Sequence, residues 1–140
     1  MTKPATPNPT TAFELAVAAS FPGAVPSRQF LDAVQRAVEP IGFERDNTLP
    51  LVSICRDELT TTLFDQIEED WGLAFTLAGL GGIPALGRTG WGSALSHIPD
   101  DDGRGCLLLF GFPHIGIEAD GTIGVTVRTG QTNPKIGRAH

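Results

Sequence analysis

The chain has 140 residues, of which 41% are hydrophobic and 19% are charged, and its formal net charge at pH 7 is −6. This length suits one domain with a hydrophobic core, and no apolar stretch approaches the roughly 20 residues that span a bilayer, which excludes a membrane helix. The acidic balance argues against sequence-independent binding to nucleic acid, because that binding depends on Lys and Arg displacing counterions from phosphates.

Cys55 and Cys106 are the only cysteines, too few for a secreted disulfide scaffold. Residues 1–9 contain Pro and Thr where a signal peptide needs an apolar core. We therefore expect a cytoplasmic protein with reduced thiols. Residues 1–12 are predicted to be a mobile N-terminal tail, and residues 13–140 a single domain.

Two helices are predicted first along the chain. Residues 13–19 form the first, which the sequence Phe21-Pro22-Gly23 ends. Ser27 is a suitable N-cap for the second helix, which ends before Pro40.

A strand, a turn and a helix follow. Residues 51–55 indicate a buried strand, and residues 58–71 a helix with apolar side chains at helical spacing. Residues 75–77 are a further strand, and residues 91–97 a short helix. Residues 105–112 are the most apolar strand, predicted to be central and buried on both faces.

The C-terminal third is predicted to hold a hairpin. Residues 115–118 and 122–128 are two strands joined at Asp120-Gly121, a dipeptide that favours a tight turn. Residues 130–140 are polar and are predicted to be irregular. The whole pattern predicts an α/β fold with a mostly parallel central sheet flanked by helices.

Chemically useful side chains follow two of the predicted strands. Cys55 and Asp57 lie where the first strand passes to a helix, whose N-terminal dipole would favour a thiolate, and His114 follows the strand 105–112. In open parallel sheets ligands bind outside the carboxyl ends of the strands, so Cys55 and His114 could lie close together. Thiolate sulfur and imidazole nitrogen suit zinc, although two ligands are one short of a catalytic zinc site.

Each of these residues also has a purely structural explanation. Cys55 could be a buried thiol, Asp57 a helix N-cap and His114 a core histidine. Cys106 lies within an apolar strand, where packing is the expected role.

The glycine-rich segment, residues 79–90, lacks the spacing of a dinucleotide fingerprint and the Gly-Lys-Ser/Thr of a phosphate loop. We expect its glycines to let the backbone pass close to a site or to a partner chain.

Several motifs in fixed order resemble one family across nearly the whole chain from about Phe13. They are Phe21-Pro22-Gly23-Ala24-Val25, Asn47-Thr48-Leu49, Ser53-Ile54-Cys55-Arg56-Asp57-Glu58, Gly87-Arg88-Thr89-Gly90 before Ser96-His97, Pro113-His114-Ile115-Gly116-Ile117 and Asp120-Gly121-Thr122-Ile123-Gly124. Together they resemble the limiting-CO2-inducible protein B/C family, whose fold is similar to that of β-type carbonic anhydrases.

The resemblance implies a zinc site made of a Cys, a His and a second Cys, with a water in the fourth position and an aspartate two residues after the first Cys. Cys55, His114 and Asp57 match these positions. It also implies a homodimer with the active site near the subunit interface.

Two departures accompany this resemblance. The second Cys of the family follows a segment matched by residues 130–134, and no Cys stands there, so we expect a domain that lacks its C-terminal end, with His140 as the alternative third ligand. The arginine that pairs with the aspartate in β-type carbonic anhydrases would be at position 59, which is Leu59. Arg56 and Arg88 are the candidates to replace it.

The expected function is a zinc-dependent, carbonic anhydrase-like enzyme that interconverts CO2 and bicarbonate, with Asp57, Arg56 and Arg88 as catalytic residues and Cys55 and His114 as ligands of Zn²⁺. One alternative is a catalytically silent family member that acts as a binding or regulatory subunit. Another is a metal-free enzyme with Cys55 as nucleophile and His114 as base.

Overall fold

A computed structural model describes residues 10–56, 60–77, 79, 82–84, 86–100, 102–126 and 135–136, with backbone alone for the last pair and for 125–126. The described residues fall into two compact units, one formed by residues 25–114 and the other by residues 10–24, 115–126 and 135–136. Within these ranges no helix has the length and apolarity that crossing a membrane requires. The prediction of a single domain stays a prediction.

A three-stranded parallel sheet forms the centre of the larger unit. Its strands are β1 (Thr48–Ile54), β2 (Phe75–Thr76) and β3 (Cys106–Phe112), in the spatial order β2-β1-β3. The described sheet, with helices packed on it, confirms the predicted α/β fold with a parallel sheet.

The order of the strands corrects one prediction. β1 is buried along its whole length and lies between the other two, whereas β3 has a described strand on one side only and Leu109 is 51% exposed. An apolar run shows that a strand is suited to burial but carries no information about which strands become its neighbours.

Two helices cover one face of the sheet. Helices α2 (Ser27–Val38) and α3 (Thr61–Trp71) contribute Leu31, Ile67 and Trp71, which pack with side chains of β1 and β3. The described part of α3 begins at Thr61, whereas the sequence predicted a helix from 58; residues 57–59 lie outside the described residues.

Helix α4 (Arg88–Leu95) serves the opposite face. Its Ala94 is fully buried in a second cluster with Leu51 of β1 and with Leu77, which follows β2. The predicted short helix over 91–97 is thus present but begins and ends earlier.

Polar contacts join α2 to α3. The Arg28 guanidinium donates to both carboxylate oxygens of Asp70 and to Asp32, and hydrogen bonding to Asp70 raises the pKa of Arg28 above its ordinary value. Pro26, and not Ser27, occupies the N-cap of α2. The Ser27 hydroxyl instead donates to Oε1 of Gln66 at 2.8 Å, a tertiary partner that no local pattern reveals.

The smaller unit contains α1 (Ala12–Ser20), β4 (Val125–Thr126) and β5 (Lys135–Ile136). Thr11 and Glu14 form a capping box at the start of α1, and the hydrogen bonds from Thr11 lower the pKa of Glu14. Strands β4 and β5 are antiparallel. Because β5 lies within residues 130–140, the prediction that this stretch is irregular was wrong for Lys135–Ile136.

The predicted turn is present, but the two predicted strands, 115–118 and 122–128, are reduced to one bridge among the described residues, and β4 pairs with β5 instead. Ile117 and Ile123 form an antiparallel bridge, the Gly121 N–H donates to the Glu118 carbonyl, and Gly121 has φ +87°. The Thr122 N–H donates to Oδ1 of Asp120 at 2.9 Å, and this hydrogen bond lowers the pKa of the Asp120 carboxyl.

Replacing Ile67 with Ala should lower the free energy of unfolding by about 2–5 kcal/mol, because the residue is fully buried between α3 and the sheet and its removal leaves a cavity. The matched control is Ile41→Ala, where the side chain is 72% exposed and a change within about 0.5 kcal/mol is expected. Urea unfolding measures both variants, and equal losses would contradict the core described above.

Asp120 should titrate below its ordinary pKa of 3.8, because its ionised form accepts the Thr122 N–H. A carboxyl with a depressed folded pKa stabilises the fold above its unfolded pKa, and this stabilisation disappears as the pH falls through the folded pKa. Asp120→Ala should therefore destabilise the protein at pH 7 and have a smaller effect at about pH 2. NMR titration of the carboxyl and unfolding at both pH values test this; a destabilisation independent of pH would contradict it.

Candidate functional site

Cys55 and His114 lie at the ends of two adjacent parallel strands. Cys55 follows Ile54, the last residue of β1, and His114 comes two residues after Phe112, the last residue of β3. Ile54 and Phe112 are register partners, so both strands end at the same edge of the sheet. This adjacency of strand ends is as predicted; the role of both residues as metal ligands stays a prediction.

The backbone around Cys55 is fixed on two sides. Gly79 donates to the Ile54 carbonyl and accepts from the Arg56 N–H, both at 3.2 Å, so Cys55 forms a bridge to the first glycine of the glycine-rich segment. The Thr60 hydroxyl donates to the Cys55 carbonyl at 2.8 Å. Cys55 itself is a free, half-buried thiol.

A small pocket opens beside this thiol. Its volume is about 150 Å³, and its lining residues are Ile54, Cys55, Arg56, Thr60, Thr61, Phe64 and Thr76. The lining combines two apolar side chains with hydroxyls and one cation, which suits a small ligand that has both apolar and polar surface.

The imidazole of His114 carries an unsatisfied atom. Its Nδ1 is buried and has no hydrogen-bond partner among the described residues. A buried polar atom left without a partner costs about 1–3 kcal/mol. A bound metal ion is one way in which a ring nitrogen of His114 can be satisfied, because neutral imidazole is a common zinc ligand.

The glycine-rich segment approaches this edge of the sheet closely. Gly82 has φ +73°, and a Cβ atom built on it would lie 2.4 Å from the Phe112 carbonyl oxygen. Only glycine fits such an approach to the end of β3; the role of these glycines beside a site or a partner chain stays a prediction.

Sequence reasoning missed Ser53. This fully buried residue of β1 donates its hydroxyl hydrogen to the Gly82 carbonyl oxygen at 2.6 Å. The available signal was a hydroxyl inside an otherwise apolar strand, since a buried hydroxyl needs a partner.

Neither candidate arginine is held by a carboxylate in the described structure. Arg56 is exposed and lines the pocket beside Cys55, and Arg88 is exposed in the first turn of α4. Asp57, the predicted partner of one of them, lies outside the described residues, and so does His140.

Cys106 is remote from the candidate site. It begins β3 and pairs with Thr48, so it lies at the opposite end of the sheet, about 20 Å from the edge at which Cys55 lies. Across the described ranges, no three His, Cys, Asp or Glu side chains group closely enough to hold a metal ion. The third ligand is therefore not assigned.

Comparison with known proteins identifies the relatives of this chain. The profile of the family described as limiting CO2-inducible proteins B/C beta carbonic anhydrases matches residues 24–136. No curated protein sequence matches the chain.

Crystal structures of the limiting CO2-inducible protein LCIB and of a homolog are similar to this one. The crystal structure of PtLCIB4, a homolog of the limiting CO2-inducible protein LCIB, has a TM-score of 0.77 and 34% identity over 87% of this chain and 50% of its own. The crystal structure of LCIB itself has a TM-score of 0.61 and 37% identity over 72% of this chain and 41% of its own. The chain thus spans about half the length of these relatives. With its parallel sheet and its Cys55 and His114 strand ends, the chain belongs to the carbonic anhydrase-like limiting CO2-inducible protein B/C family.

Proposed function

We propose that this protein is a zinc-dependent carbonic anhydrase that interconverts CO2 and bicarbonate. The observation that carries the proposal is the imidazole of His114, whose buried Nδ1 has no partner among the described residues. His114 follows the end of β3, which lies beside the end of β1 that bears the Cys55 thiol. This arrangement occurs in a chain of the carbonic anhydrase-like family.

The residues present fit a zinc ion. Sulfur and imidazole nitrogen are preferred zinc donors, and Cys55 and His114 supply one of each. Zinc would supply hydroxide at neutral pH by lowering the pKa of a coordinated water to about 7. The third protein ligand would be the second Cys that the family pattern expects, or else His140.

In this proposal, the role of Asp57 is to orient the attacking hydroxide. Its carboxylate would accept the hydroxide hydrogen and direct an oxygen lone pair at the carbon of CO2. Arg56 or Arg88 would hold the carboxylate in place; Arg56 borders the pocket beside Cys55 and no carboxylate engages it within the described residues.

The small pocket is assigned to the substrate. CO2 carries no net charge and asks for few hydrogen bonds, which suits the apolar Ile54 and Phe64 walls, and bicarbonate suits the hydroxyls and the arginine at the same pocket. No described residue of the glycine-rich segment lines this pocket, and Leu86 packs in the cluster of Leu51, Leu77 and Ala94 on the opposite face of the sheet.

The expected assembly is a homodimer with its active site near the interface, located in the cytoplasm. The homodimer is what the family resemblance implies, and the cytoplasmic location is what the expected reduced thiols imply. Cys55 and Cys106 are free in the structure, which agrees with a reducing compartment.

Zinc catalysis is preferred to the metal-free thiol mechanism. That mechanism needs a hydrogen bond between the Cys55 thiol and the His114 ring. Within the described residues Nδ1 of His114 forms none, so the thiol mechanism would have to use Nε2, and the family match is what favours zinc catalysis.

Cys55→Ser in the full-length protein should abolish stoichiometric zinc binding and reduce zinc affinity by more than about 100-fold. Loss of an outer contact to a metal ligand typically reduces metal affinity about 10–100-fold, and loss of the ligand itself should reduce it further. Cys106→Ser is the matched control and should retain zinc, since Cys106 lies at the opposite end of the sheet. Elemental analysis and competition with a chelator measure both. Retention of zinc by Cys55→Ser would remove Cys55 from the ligand set.

Asp57→Ala should retain zinc and the fold but lose most CO2 hydration, because the carboxylate is not a protein ligand in this proposal. Asp65→Ala, an exposed carboxylate on α3, is the control and should keep parental activity. Stopped-flow hydration and melting temperature are measured on both. An active but less stable Asp57→Ala variant, with about 0.5–2 kcal/mol lost, would indicate a helix-capping role. A parent that binds zinc without hydration activity would instead favour the binding or regulatory subunit.

A further inference from the structure

The glycine-rich segment contacts the sheet just before each candidate metal ligand. The Ser53 hydroxyl bonds to the Gly82 carbonyl, and Ser53 precedes Cys55 by two residues. The Gly82 backbone lies against the Phe112 carbonyl, and Phe112 precedes His114 by two residues. One glycine therefore contacts both strands that carry the candidate ligands.

The path of the segment across the sheet follows from these contacts. Gly79 pairs with β1 next to Cys55, on the side where β2 lies, whereas Gly82 reaches Phe112 on β3. Val52 and Ile54 face the cluster of α2 and α3, so Ser53 points to the opposite face together with Leu51. Gly82 thus lies over β1 on the α4 face, close to the carboxyl end of the strand.

Neither contact tolerates an arbitrary residue. Gly82 needs φ +73° and has no room for a Cβ beside the Phe112 carbonyl. Ser53 is fully buried, so its hydroxyl needs an internal partner, and the Gly82 carbonyl oxygen provides it. Alanine at position 53 would keep the strand but remove the bond to the segment.

We infer that Ser53 and Gly82 are positioning residues, whose contacts hold the described part of the glycine-rich segment against the ends of β1 and β3 and thereby fix the positions of Cys55 and His114. Neither residue touches the reacting atoms. The effect on zinc binding rests on the proposed carbonic anhydrase function, whereas the holding of the segment does not.

The holding of the segment is tested by hydrogen exchange on the full-length protein as purified. Ser53→Ala should increase exchange at residues 82–86 about tenfold, the change expected for loss of one buried hydrogen bond. Gly82→Ala should act in the same direction. Gly111→Ala is the matched control, because a Cβ there meets nothing within 4 Å, and it should leave exchange in the segment unchanged.

The positioning role is tested by zinc affinity on the same variants, measured by competition with a chelator. Ser53→Ala should weaken zinc binding about tenfold, the loss expected when a contact that positions a ligand is removed. Ser53→Thr, which keeps the hydroxyl, should restore both exchange and zinc affinity towards parental values. A general structural defect would lower the melting temperature and the fraction of protein that binds zinc without changing the affinity of that fraction.

Unchanged exchange at residues 82–86 in folded Ser53→Ala and Gly82→Ala would overturn the inference. Faster exchange combined with an unchanged zinc affinity would also overturn it, because the segment would then be held without affecting the candidate ligands. A parent protein that binds no zinc would contradict the proposed function instead, and the exchange result alone would then decide whether Ser53 and Gly82 hold the segment.

Discussion

The seven-residue parallel pairing of β1 with β3 is the constraint on which the candidate site depends. It runs without interruption from Thr48 and Cys106 to Ile54 and Phe112, so the residues that follow both strands emerge at one edge. A shift of the register by one residue would reverse the face of every side chain on a strand. β1 has core side chains packed on both faces, which fixes that register and with it the positions of Cys55 and His114.

The same edge contains two unusual local features. Nδ1 of His114 is buried without a partner among the described residues, which costs stability, and Gly82 adopts a left-handed conformation that restricts this position to glycine. The buried helices and strands, by contrast, show ordinary apolar packing. Such unfavourable local features persist where the surrounding structure is well determined, and functional sites are where they concentrate. We therefore regard the glycine-rich segment and the strand ends that carry the candidate ligands as parts of one candidate site.

Local pattern in the sequence was sufficient for many elements. The apolar run before Cys55 predicted a buried strand, Phe21-Pro22-Gly23 predicted the end of α1, and Asp120-Gly121 predicted a turn that the structure contains. Each of these depends on interactions within a few residues. The failures are non-local: Ser27 bonds to Gln66 on another helix, and the exposed position of β3 depends on which strands lie beside it.

The sequence by itself determined the family, through motifs kept in order, and the chemistry of the candidate ligands, since a thiol and an imidazole are properties of residue type. Only the tertiary structure decided that the ends of β1 and β3 are neighbours, that Nδ1 of His114 is buried without a partner in the described residues, and that Ser53 holds Gly82. The reason is physical: strand order, burial and a bond between residues 29 positions apart arise from packing of distant segments, which local propensity does not encode.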